Sequence, residues 1–182
     1  HGGLREPLLK LLHVLRAMEY SPFGHAELEM QDVQGRIGQY AFESPSVFNF
    51  FLPEFAPSGV VAEAGLVAPE SQIYTTPALI SFLNGMTALV RDGLSSCYGG
   101  FGSNVQSGRS CGNFRNGISI RRGSADGNLT YMPPATSAAQ VVSDLDLLLT
   151  GGRLDQRTRR IIEEAYNGAV AGGDDAAEAT RL

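Results

Sequence analysis

Between residues 4 and 20, hydrophobic positions recur at three- and four-residue steps: Leu4, Leu8, Leu11, Leu12, Leu15 and Met18 mark one face. Leu9 and Val14 widen the stripe beyond the arc of an ordinary surface helix, which predicts a helix buried around most of its circumference. Pro7 suits its first turn, where a missing N–H would have no intrahelical partner. Lys10, His13 and Arg16 fall on the narrower polar side, and Ser21-Pro22-Phe23-Gly24 breaks the run.

The pattern then weakens. Residues 25–40 keep Leu28, Val33 and Ile37 apolar, but Gly35 and Gly38 lower their helix propensity. The segment 44–57, SPSVFNFFLPEFAP, concentrates aromatic residues and prolines. Ser44 and Pro45 there resemble a helix cap and first position, so we expect a short helical plug that Pro53 closes, packed onto the helices through Phe48, Phe50, Phe51 and Phe55. Residues 58–68 read as an extended connector. A second helical region begins at Pro69, re-initiates or kinks at Thr76-Pro77 and runs to about Asp92, with Gly93 as its stop and Ile80, Leu83, Ala88 and Leu89 as its inner side.

Residues 93–132 read as an irregular insertion: a glycine- and serine-rich loop, then GISIRR and GNLTYM flanking Ser124-Ala125-Asp126-Gly127 as a small β-hairpin. Helical periodicity returns at the C-terminal end. Ser137 and Gln140 have the spacing of a capping box ahead of VVSDLDLLL, and Gly151-Gly152 ends that helix. Asp155 can cap a following helix with Ile161, Ile162, Ala165 and Tyr166 on its inner face, giving a helical hairpin. The expected fold class is therefore mainly α: four to five helices around one core, in a single domain spanning 1–182.

Composition narrows the class. With 43% hydrophobic and 18% charged residues the 182-residue chain has material for a core and is not a disordered polymer. Its net charge of −5 argues against a dedicated nucleic-acid binder. No uninterrupted apolar run of bilayer-spanning length occurs. Lys10 is the single lysine among 14 basic residues, a bias we attribute to genomic composition.

Few side chains point to chemistry. Cys97 and Cys111 bracket the glycine-rich loop 14 positions apart, and a disulfide there would constrain the unfolded chain by roughly 3 kcal/mol. The alternative is two free thiols in a reducing compartment. Asn128-Leu129-Thr130 has the form of a glycosylation acceptor. Together these features lead us to expect an exported protein, at the cell surface or in the periplasm. Arg109, Arg115, Arg121 and Arg122 make residues 93–125 net positive by four, a patch for an acidic partner or an anionic glycan, or simply a solubilised loop. His1, His13 and His25 are twelve apart and form no metal motif, so neither a metal nor a cofactor is expected. Asp32, Glu63 and Glu70 are candidate catalytic carboxylates, although no spacing joins any two of them. No GxSxG, Walker or GxGxxG motif is present.

REPLLKLLHVLRAMEY, SPSVFNFFLPEF, AGLVAPESQI and LLLTGGRLDQRTRRII, in that order, resemble the C-terminal half of the domain of unknown function 1800 family, over about residues 1–170. The resemblance implies a large, exported, mostly bacterial and mostly helical protein of which this chain is a fragment. It carries no catalytic residue, because the family has no established activity. The expected function is a non-catalytic extracytoplasmic structural or protein-interaction module. Its partners would be the remainder of a longer chain or other subunits, covering Leu4, Leu8, Val14 and the plug phenylalanines. The alternative is part of a secreted hydrolase-like enzyme acting on polysaccharide or sulfated material. Convergence of Asp32, Glu63, Glu70, His13 and His25 in one cleft would favour that alternative.

Overall fold

A computed structural model describes residues 4–23, 30–95, 100–102, 114–115, 118–119, 126–134 and 137–180. These residues are mainly helical, with a small two-stranded antiparallel sheet in which Phe114 pairs with Ser119 and Arg115 with Ile118. The chain divides into two compact units, one built from His1–Leu12 and Ser21–Asn128, the other from His13–Tyr20 and Leu129–Leu182. No helix among the described residues is long and apolar enough to cross a membrane.

Helix α1 (Pro7–Ala17) forms where the leucine pattern places it, starting at the proline. Its burial is narrower than expected. Pro7, Leu11 and Leu15 are buried, a single row at four-residue steps, whereas Leu9 and Leu12 stay 46% and 40% exposed. Strand β1 (Tyr20–Pro22) follows.

In the first unit, α2 (Gln31–Ile37) buries Val33 and Ile37 and ends at Gly38, whose left-handed φ of 75° turns the chain out of the helix. Helix α2 packs on α4 (Thr76–Asp92), the longest helix of this unit. Between them, the stretch expected as an extended connector contains one helical turn, α3 (Val60–Glu63), entered through Gly59 at φ 99°. The break at Thr76-Pro77 is confirmed: a 3-10 turn (Pro69–Gln72) precedes α4, the Thr75 hydroxyl accepts a hydrogen bond from the Ala78 N–H, and Gly93 closes the helix. The inner face of α4 is shifted from the expected one. Phe82, Gly85 and Leu89 are buried, while Ile80 and Leu83 are each 55% exposed. Gly85 belongs to this face because Phe101 lies against it: a Cβ there would come within 2.6 Å of the ring.

The plug is also corrected. Residues 40–50 form turns and isolated bridges, Tyr40 with Glu43 and Ser46 with Asn49, with no helix. The Ser44 hydroxyl donates to the Ser46 carbonyl at 3.0 Å and so does not serve as a helix cap, and Phe42 and Asn49 take positive φ values of 64° and 74° that reverse the chain. Phe48 is 65% exposed, whereas Phe50, Phe51 and Phe55 are half-buried.

Leu94, fully buried, is the centre of a backbone ladder. Its N–H donates to the Gly127 carbonyl at 3.1 Å and its carbonyl accepts from the Asp126 N–H at 2.7 Å. The neighbouring Ser95 N–H donates to the Gly100 carbonyl and the Gly102 N–H to that of Gly93. The mouth of the glycine-rich segment is thus closed by main-chain hydrogen bonds. Cys97 and Cys111, the expected disulfide, lie outside the described residues. The expected hairpin is corrected too: β4 (Gly127–Leu129) pairs with β1, and β2 (Phe114–Arg115) pairs with β3 (Ile118–Ser119).

In the second unit, α5 (Ala138–Thr150) and α6 (Gln156–Gly172) form the expected helical hairpin, and α7 (Ala176–Ala179) packs on α6. Asp155 caps α6 by accepting from the N–H groups of Arg157 and Thr158. At α5 the capping box is not realised, since the Ser137 hydroxyl hydrogen-bonds the Gln140 side chain instead of a backbone N–H. Ala138, Val141, Tyr166 and Ala179 form the core here, with Leu145 and Ala169 packed against it. Ile161 and Ile162, expected inside, are 54% and 38% exposed.

Candidate functional site

A candidate site in the first unit is built around Gln39. Helix α1 opens at Pro7, so the Leu8 N–H has no intrahelical acceptor. Gln39, 2% exposed and placed just beyond the Gly38 turn, supplies one: its Oε1 accepts from the Leu8 N–H at 2.9 Å. The same side chain donates through Nε2 to Glu6 Oε2 at 2.5 Å. One buried amide therefore fixes both the start of α1 and the Glu6 carboxylate. Gln34 fastens the next step of the chain, its Oε1 accepting from the Ala41 N–H at 2.5 Å.

Above this amide lies an open recess of about 350 Å³. Glu6, Leu8 and Gln39 line it together with the aromatic residues Tyr40, Phe42 and Phe50. Ala41, Ser44 and Asn49 complete it. The turn carrying these residues is held by its own hydrogen bonds: the Ser46 hydroxyl accepts from the Phe48 N–H at 3.2 Å and its carbonyl accepts from the Asn49 N–H, also at 3.2 Å. Leu52 N–H anchors the far end on Gln72 Oε1 at 2.7 Å.

Glu6 is the one acidic residue of the lining, and no basic side chain among the described residues forms an ion pair with it. Its charge is felt at Tyr74, whose phenol is pushed up to about 12, first by burial and then by Glu6. The Tyr74 hydroxyl donates to the Arg5 carbonyl at 2.5 Å. Lys10 stands over the Tyr74 ring, 4.6 Å from its centroid, and burial lowers its pKa. The lysine expected on a polar helix face is thus packed on aromatic surface.

The residues singled out from sequence do not assemble here. Asp32 on α2 and Glu63 on α3 are exposed, Glu70 is half-buried in the 3-10 turn, and His13 is exposed on α1. None lines the recess. Among the described residues no group of three or more His, Cys, Asp or Glu side chains is arranged to hold a metal. His1, His25, Arg109, Arg121 and Arg122 lie outside the described residues, and Arg115 is placed only by its backbone in β2. Asn128 is half-buried in β4, and the Thr130 hydroxyl of the same tripeptide donates to the Glu19 carbonyl at 2.6 Å. Glu6 and Gln39 escaped the sequence reading because they pair across 33 residues, and the one local signal was the glycine before Gln39.

The recess is suited to binding. It pairs a carboxylate with aromatic and amide surface. No protein-family model, curated protein or solved structure matches the chain.

Proposed function

We propose that the chain is a non-catalytic protein-interaction module that presents residues 40–52 to a partner protein. The observation that carries this reading is the exposure of large apolar side chains on a hydrogen-bonded turn. Phe42 is 103% exposed, Val47 93% and Phe48 65%. Single exposed apolar residues are ordinary, but three within seven positions are the composition of a contact surface. Phe42 is held at positive φ besides, an arrangement that costs a bulky residue about 1–3 kcal/mol and persists where it serves a purpose. Placement outside the cytoplasm and kinship with the domain of unknown function 1800 family belong to the same proposal. They are supported by the cysteine spacing, the Asn128 tripeptide and the order of the quoted segments.

The test compares the tagged wild-type chain with a Phe42→Ser, Val47→Ser, Phe48→Ser triple variant expressed in the source organism. Quantitative mass spectrometry then identifies the proteins retained by each. A defined partner lost from the variant, with thermal stability unchanged, is the expected result. Identical partner sets would overturn the proposal.

A further inference from the structure

We propose that the recess lined by Glu6 receives an arginine side chain of the partner segment, its guanidinium on the Glu6 carboxylate and its stem against Tyr40 and Phe50. This deepens the interaction reading above and rests on it.

Charge complementarity carries the argument. Glu6 is half-buried and fixed by Gln39, a neutral donor that satisfies one carboxylate oxygen, and no basic side chain among the described residues forms an ion pair with it; Lys10, four residues on, stands over the Tyr74 ring instead. A carboxylate held by a single neutral donor beside aromatic rings favours a cation that tolerates desolvation. Guanidinium is more weakly hydrated than ammonium, is planar, and can bond the carboxylate edge while stacking on a ring. A recess of about 350 Å³ admits one such side chain, and the exposed Phe42, Val47 and Phe48 give the flanking apolar residues of the partner a surface.

The experiment titrates the full isotope-labelled chain with the peptide acetyl-Leu-Arg-Leu-amide, following amide chemical shifts. Two matched peptides replace arginine by lysine or by citrulline, the neutral isostere. The arginine peptide is expected to shift the signals of Glu6, Gln39 and Phe50, the lysine peptide to bind several-fold more weakly, and the citrulline peptide at least tenfold more weakly. Glu6→Gln should remove this preference while its new amide oxygen still accepts from Gln39, and unchanged thermal unfolding would verify that. Phe50→Leu, which keeps apolar volume, should weaken arginine binding without restoring citrulline. Equal binding of citrulline and arginine peptides, shifts confined to other surfaces, or tighter binding of tetramethylammonium would overturn the assignment. If Glu6→Gln still retains the partner that the triple variant loses, the arginine site fails and the module stands. If the peptide binds at Glu6 while the triple variant keeps every partner, the module fails and the recess stands.

Discussion

Arg159 reaches back from α6 to place Nη2 2.5 Å from Oδ2 of Asp146, a carboxylate that is 1% exposed near the end of α5. The other oxygen of Asp146 accepts from the Thr150 hydroxyl and, at 3.0 Å, from the Leu154 N–H. One side chain thereby ties together the last turn of α5, the Gly151-Gly152 corner and the first turns of α6.

This arrangement predicts a specific acid sensitivity. The Thr150 hydroxyl foremost, with the Leu154 N–H and Arg159, holds the Asp146 carboxyl below its ordinary value of 3.8, against the opposing effect of burial. Asp155 is lowered in the same direction, chiefly by Thr158. A carboxyl lowered in the folded state is protonated first in the unfolded chain. Its contribution is therefore complete well above 3.8 and is lost as pH falls through the folded value. Asp146→Asn should lower the melting temperature at pH 7 and flatten its decline below pH 4, whereas Asp144→Asn should do neither. Thermal unfolding at both pH values checks this, and an acid limb unchanged in Asp146→Asn would refute it.

The contact between Gly85 and Phe101 predicts opposite outcomes for two glycine replacements. In Gly85→Ala the new methyl would lie 2.6 Å from the Phe101 ring, an overpacking that should cost about 1–3 kcal/mol. Phe101→Leu in the same chain should recover part of that loss. Gly168, inside α6, has nothing within 4 Å of the position a Cβ would take. There, Gly168→Ala should gain about 0.5–1 kcal/mol from helix propensity. Urea unfolding of the three variants decides both.

Tyr74 predicts an alkaline signature. Its phenol is raised to about 12 from an ordinary value of 10.0, so the unfolded chain deprotonates first. The stabilisation is whole below pH 10 and disappears as pH rises through the folded value. Ultraviolet titration should show one of the six tyrosines ionising well after an ordinary phenol. Tyr74→Phe should abolish that late phase while keeping the ring beneath Lys10.

Phe42 should trade stability for binding. Its φ of 64° is one that glycine adopts freely, and its side chain is wholly exposed. Phe42→Gly is therefore expected to stabilise the fold by about 1 kcal/mol in urea unfolding and to weaken partner retention in the same preparation. A loss of stability would show that the side chain contributes to packing.

Local chemistry was legible wherever a few adjacent residues settle the matter. The chain itself determined that Pro7 lies in the first turn of α1, that a helix re-initiates at Thr76-Pro77 and is stopped by Gly93, and that α5 and α6 meet at Gly151-Gly152 with Asp155 as the next cap. Each depends on φ restriction, a side-chain acceptor or a left-handed glycine within one turn of the boundary. Tertiary structure alone decided which apolar residues go inside. Leu9, Ile80 and Ile161 fit a helical stripe as well as Leu11, Phe82 and Tyr166 do, but the close approach of Phe101 to Gly85 and the packing of α2 on α4 and α5 on α6 bury only a narrow row of each helix. The recess belongs to the same class, because a buried glutamine capping a helix 31 residues away leaves no periodicity to read. Periodicity reports what a helix face is able to bury, and the partners that arrive from distant sequence decide what it does bury.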